Sequence, residues 1–144
     1  MMDLSTTLSG LEEGIELYKQ GESIDKLLTM FKDLSQRDPK NPTVWSCLAW
    51  LYLLDDKPEN ALKSAQRSIK LDSRSPQARI NLALAMMDAG QSGVRPHIDA
   101  AAQIMQLSPE IHQDIAENIL DGLLRKPDWS SLQKVKTWLL PERE

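Results

Sequence analysis

A single cysteine, Cys47, is all that this chain of 144 residues carries. No intramolecular disulfide can form and no cysteine-rich zinc site can be built. Such sparing use fits a reducing compartment. There is also no apolar run of the ~20 residues a membrane-crossing helix needs. The longest unbroken apolar stretch runs from Cys47 to Leu54 within "WSCLAWLYLL". The opening "MMDLSTTLSG" has neither a basic start nor an apolar segment, so no secretory signal and no membrane insertion are expected, and the cytoplasm is the expected location. An excess of positive charge is missing too. The 17 Lys and Arg residues are scattered and outnumbered by 21 Asp and Glu, which argues against a nucleic-acid partner.

Catalytic constellations are equally scarce. The two histidines, His97 and His112, stand in no metal-ligand spacing, so no metal and no cofactor are expected. Cys47 has no basic neighbour in sequence to lower its pKa and reads as a small hydrophobe. Glu12-Glu13 and Asp55-Asp56 are paired only along the chain. Adjacent helical residues diverge by ~100°, so they form no acid/base pair and read as solvated surface. Gly90 and Gly93 follow a helical pattern rather than a strand, and no Lys-Ser/Thr follows, so they make no phosphate loop. No enzyme is expected.

What is present is a repeat. "NPTVWSCLAWLYLL" and "SPQARINLALAMM" align at a shift of 34 residues: Asn41-Pro42 falls on Ser75-Pro76, Leu48 on Leu82, and Ala49 on Ala83. Asn41 and Ser75 are good N-caps, each followed by Pro at the first helical position. Pro58 opens a further helix over about 58–71, whose Ala61, Leu62, Ala65 and Ile69 share one face. The unit is therefore a helical hairpin, with copies over about 8–41, 42–75 and 76–109. In the first copy Ser9-x-x-Glu12 reads as a capping box, Gly21 as a stop, and Ser23 as the cap of a helix over about 24–37. In the third, a helix over about 96–107 follows the glycine turn. Two helices close the chain. One over about 109–125 has Ile111, Ile115, Ile119 and Leu123 at steps of four. The other, over about 129–140, has Asp128 as its cap. Eight helices and no strand make one all-α domain over residues 1–144.

This hairpin resembles the tetratricopeptide repeat, whose pattern runs W-x2-L-G-x2-Y, then A-x3-F, then P. Trp45, Leu48, Ala49 and Tyr52 match the first helix with Ala in place of Gly, and Ala61 matches the second. Gly14, Phe31 and Pro39 supply pieces in the first copy. Arg79 stands for Trp, Ala65 for Phe, Ser73 for Pro, and His97 for Ala. About 100 of the 144 residues are covered. The resemblance implies a right-handed α-solenoid with the last two helices as its cap. It also implies a concave groove, lined by the first helix of each hairpin, that holds a partner's peptide or helix, and no catalytic activity.

Helical geometry assigns the faces. Trp45, Leu48, Ala49 and Tyr52 share the side that meets their own second helix. Leu51 meets a neighbouring repeat, and Cys47, Trp50 and Leu54 lie opposite. The equivalents of Trp50 are Ile15 and Leu84, giving an apolar row across the groove with Trp50 as anchor. The expected groove set is Leu11, Ile15, Tyr18, Cys47, Trp50, Leu53, Leu54, Ile80, Asn81, Leu84 and Met87, with Leu8 beside it. A helical or extended apolar segment of another protein fits such a row. That makes the chain an adaptor, an assembly factor or a small chaperone, a secretion-type chaperone among the alternatives. The places where some tetratricopeptide domains grip a C-terminal carboxylate hold Leu11, Ile15, Cys47, Gln77 and Asn81, so no such clamp is expected. A competing outcome is burial of the row by the chain itself, through Trp129, Trp138, Leu139 and Leu140, or in a homodimer.

Overall fold

This computed structural model describes residues 4–141, with side chains from Gly10. The first three residues, part of the segment read for a secretory signal, lie outside it, as does the side chain of Leu8. Among the described residues there are eight α-helices and no strand. They are α1 (Leu4–Lys19), α2 (Ile24–Arg37), α3 (Pro42–Leu54), α4 (Pro58–Leu71), α5 (Pro76–Asp88), α6 (Arg95–Met105), α7 (Pro109–Arg125) and α8 (Ser130–Leu139).

The starts of these helices follow local chemistry. Asn41 accepts a hydrogen bond from the Thr43 N–H (3.0 Å), Ser75 from Ala78 (3.2 Å), and Ser108 from Glu110 (3.2 Å). Each is followed by Pro at the first helical position, where the missing N–H costs nothing. Ser23 caps α2 through the Lys26 N–H. Two expected caps are corrected. Ser9 lies inside α1, which begins at Leu4, so it opens no capping box. At α8 the cap position is Trp129, without a side-chain cap bond, rather than Asp128. Helix α6 runs from Arg95 to Met105, a residue or two off the expected bounds.

The hairpins α1–α2, α3–α4 and α5–α6 stack in order, α2 on α3 and α4 on α5. Tight approach in the first depends on Gly14, where a Cβ would stand 2.7 Å from the ring of the buried Phe31. Helix α3 packs on α2, α4 and α5 at once. That is why its sequence shows no polar stripe, and why Val44, Leu48, Ala49, Leu51, Leu53 and Leu54 are all buried. Each Val or Leu among them contributes about 1.5–3 kcal/mol on burial. The last two helices turn back. Helix α8 packs on α5, α6 and α7, while α7 runs across the concave side, reaching α5 through Asn118, α3 through Gly122 and α1 through Asp121.

Candidate functional site

The concave side is shared between the solenoid and α7. Trp50, expected to face an open groove, is half-buried beneath α7. Its indole meets the backbone at Gly122 and tilts against Trp129, with ring centroids 5.4 Å apart at 50°. Its Nε1–H donates to the Tyr18 hydroxyl (2.8 Å), and that hydroxyl donates to the Asp121 carboxylate. Arg125 completes the arrangement. It lies 3.8 Å over the Tyr18 ring, pairs with Asp121 (3.1 Å) and donates to the Tyr18 carbonyl (2.8 Å). Burial, reinforced by the Asp121 hydrogen bond, raises the Tyr18 pKa, so the hydroxyl stays a donor at any physiological pH.

The turn between α7 and α8 is tied down as well. The Lys126 ammonium donates to the Leu53 carbonyl (3.0 Å) at the end of α3 and to Asp56 (2.7 Å), and lies 4.6 Å over the Trp129 ring. A cation at a helix C-terminus is favoured by the unpaired carbonyls there. Asp56, at φ +57, adopts the left-handed backbone that Asp tolerates. The Trp129 indole in turn donates to Asp88 (3.0 Å) on α5.

Beside the covered indole a cavity of about 500 Å³ stays open between α1, α3, α5 and α7. Phe31 and Leu51 lie at its base, Ile15, Cys47 and the edge of Trp50 form its walls, and Lys19, Glu117 and Asn118 stand on its rim. A chain of amides crosses it from α7 to α3. Asn118 donates to Gln77 (3.0 Å), Gln77 to Asn81 (2.8 Å), and Asn81 to the Ser46 carbonyl (3.0 Å) and hydroxyl (3.1 Å). Asn81 is fully buried, and these partners satisfy it. Cys47 lines the cavity with its sulfur sunk into the wall. Burial pushes its thiol up to about 12, so it is neutral and behaves as a small apolar surface.

The expected groove residues therefore divide. Ile15, Tyr18, Cys47, Trp50 and Asn81 meet at the cavity. Leu11, Leu53, Leu54, Ile80 and Leu84 are buried in the core, and Met87 is half-buried against it. The expected row of Ile15, Trp50 and Leu84 is thus broken, because Leu84 is fully buried in the core on α5, a helix against which α8 packs. Of the residues expected to cover the row, Trp129 does so. Trp138 is 37% exposed and carries Arg95 over its ring at 5.1 Å instead. By sequence alone Glu117, Asn118, Asp121 and Gly122 are only positions along an end helix.

No family model matches the chain, and no curated protein sequence matches it. Solved structures do. The TPR domain of Arabidopsis OM64 superposes at TM-score 0.59 with 14% identity, covering 97% of this chain and 98% of that one. MamA (MSR-1 C2) gives TM-score 0.60 at 17% identity over 94% of this chain and 80% of its own. The second TPR domain of human RPAP3, in complex with an HSP70 peptide, gives 0.55 at 20% over 90% and 94%. The chain is an all-α solenoid of helical hairpins with a tetratricopeptide-like fold. Among the described residues no helix is long and apolar enough to cross a membrane.

Proposed function

We propose that this chain is a protein–protein interaction module, an adaptor or assembly factor, that takes an extended segment of a partner at the open part of its concave side. The supporting observation is the cavity between α1, α3, α5 and α7. It has an apolar base and a chain of side-chain amides at its edge, so one apolar side chain can enter while the accessible amides of Gln77 and Asn118 bond its backbone. A partner helix has no room on the covered stretch, because α7 already lies over Trp50. The RPAP3 domain, similar in fold, is seen with a peptide, which supports peptide capture as a use of this architecture. The sparing use of cysteine supports a cytoplasmic setting.

Selection from a displayed library of random peptides tests this reading. Recovered peptides should share an apolar residue and lose at least about tenfold in affinity for Cys47→Trp, which fills the cavity, with helicity retained. Peptides that bind wild type and variant equally would remove the site. Self-association is a second reading, favoured by Leu120 and Leu124, which lie one turn apart on the outer face of α7 at 48% and 81% exposure. Sedimentation of wild type against Leu120→Glu/Leu124→Glu decides it, and a monomer at every concentration would dismiss it.

A further inference from the structure

The convex side carries a second cleft, about 310 Å³ in volume, that the concave reading leaves unused. Its floor is the stripe Trp45, Leu48 and Tyr52 of α3, and its walls are α2 and α4. Along a helix this stripe points away from the side that bears Cys47 and Trp50, so the cleft and the concave cavity open on opposite faces. Its rim is cationic in a chain whose net charge is −4. Lys32 on α2 and Lys63 on α4 are both exposed and join no ion pair among the described residues. Arg67, on α4 beside the cleft rather than lining it, stands 6.0 Å over the Trp45 ring with one amino group toward the Pro39 carbonyl, so its charge is oriented but not neutralised. The Lys32 ammonium is similarly held 5.7 Å over the Tyr52 ring.

Two lysines lining an aromatic-floored cleft, with Arg67 beside it over Trp45, describe a receptor for anions attached to something apolar. We propose that this cleft is a docking site for an acidic segment of a partner protein. Carboxylates of the segment pair with Lys32 and Lys63, with Arg67 adjoining, and one of its apolar side chains lies on Tyr52 and Leu48. Charge complementarity selects the occupant. A carboxylate in a partly enclosed cleft sees a lower effective dielectric than on open surface, so each pair counts for more than an exposed ion pair. Nucleic acid is disfavoured because so few cations neutralise few phosphates, and the chain as a whole is net negative. With the concave cavity on the other face, the solenoid would hold two segments at once, which is what an adaptor requires.

The test uses the full chain and the indole N–H signals of its tryptophans in a nitrogen-15 correlation spectrum. Two peptides of roughly twelve residues are titrated in turn, one alternating Asp-Glu pairs with Leu and Phe, the other its Asn-Gln counterpart. The acidic peptide should shift the Trp45 signal and leave Trp50 in place. It should bind at least about tenfold more tightly than the neutral one and weaken strongly from about 50 to about 500 mM salt. Lys32→Glu/Lys63→Glu should lose at least about tenfold in affinity with its melting midpoint unchanged, since both side chains are exposed. Equal affinity for the two peptides, no binding of the acidic peptide, a shift at Trp50 instead of Trp45, or displacement by a DNA duplex that binds more tightly would each overturn the proposal. Of these outcomes only a shift at Trp50 would report on the concave cavity, because Trp50 lines it; that cavity has its own readout in Cys47→Trp.

Discussion

A Cβ placed on Gly122 would stand 2.9 Å from the indole of Trp50 and 2.6 Å from Leu132, so α7 lies as close to α3 and α8 as a backbone can. Both clashes involve side chains fixed from several sides. Trp50 is held by Tyr18 and Trp129, and Leu132 is fully buried. Gly122→Ala therefore sets two effects against each other. Helix propensity favours Ala by about 1 kcal/mol, while forcing a methyl into a filled contact costs about 1–3 kcal/mol. Strain should win. The urea midpoint is expected to fall and Trp emission to shift to the red as α7 lifts. Leu124→Ala, on the exposed face of the same helix, should change neither. A Gly122→Ala protein as stable as wild type would show that α7 does not rest on Trp50.

The Tyr18 hydroxyl is the hinge of the polar contacts beneath α7, accepting from Trp50 and donating to Asp121. Tyr18→Phe removes both bonds while keeping the ring under Arg125. It strands an indole N–H and a carboxylate that is already partly paired, at a cost of about 1–2 kcal/mol. Asp121→Asn keeps an acceptor but loses the charge, and should cost less. Amide exchange of α7 is the direct measure. Faster exchange confined to α7 and its contacts is expected for Tyr18→Phe, with α3–α4 protected as before. Uniform protection in the variant would mean that α7 is held by its apolar side alone.

These contacts show what was legible in the sequence. The hairpins were readable because capping residue, proline and apolar spacing all agree within each unit, and local agreement of that kind survives folding. The fully apolar Cys47–Leu54 run was readable as a helix with neighbours on every side. The cover over Trp50 was not. Tyr18, Asp121 and Gly122 meet it from opposite ends of the chain, and neither helical period nor residue type pairs them in advance. By the repeat, Leu84 is equivalent to Trp50 and Ile80 flanks it, which points both into the groove. That equivalence fails because α8 packs on α5 and Leu84 is fully buried in the core, whereas α7 leaves Trp50 half-buried at the cavity wall. The cavity at Ile15, Cys47 and Asn81 is what α7 leaves uncovered.

Cys47 offers a chemical probe of that cavity. With its thiol raised to about 12 by burial, its thiolate fraction at pH 8 is on the order of a thousandth of that of an unhindered cysteine near pKa 8.5. Reaction with a chromogenic disulfide should therefore be slower by about three orders of magnitude in the folded chain than in urea. A peptide occupying the cavity should slow it further. Fast labelling of the native chain at its denatured rate would contradict both the depth of the sulfur and the reading of Cys47 as an inert wall.

His97 supplies a pH dependence whose sign can be worked out. It is half-buried in α6, its Nδ1 lies 3.2 Å from the Arg79 guanidinium, and burial first and the Arg79 charge second lower its pKa. The neutral ring can accept from Arg79, whereas the protonated ring repels it. Unfolding frees the ring to bind a proton at its ordinary value of about 6.5. Below that pH the unfolded chain holds more protons than the folded one, so stability falls with falling pH until the lowered folded value is passed. The contribution is complete above about pH 6.5 and is lost below it. Urea midpoints measured at about pH 7.5 and about pH 5.5 should differ more for wild type than for His97→Gln, which keeps an acceptor for Arg79 but does not titrate. Equal differences in the two proteins would show that His97 is not coupled to folding, and that the Arg79 contact is incidental.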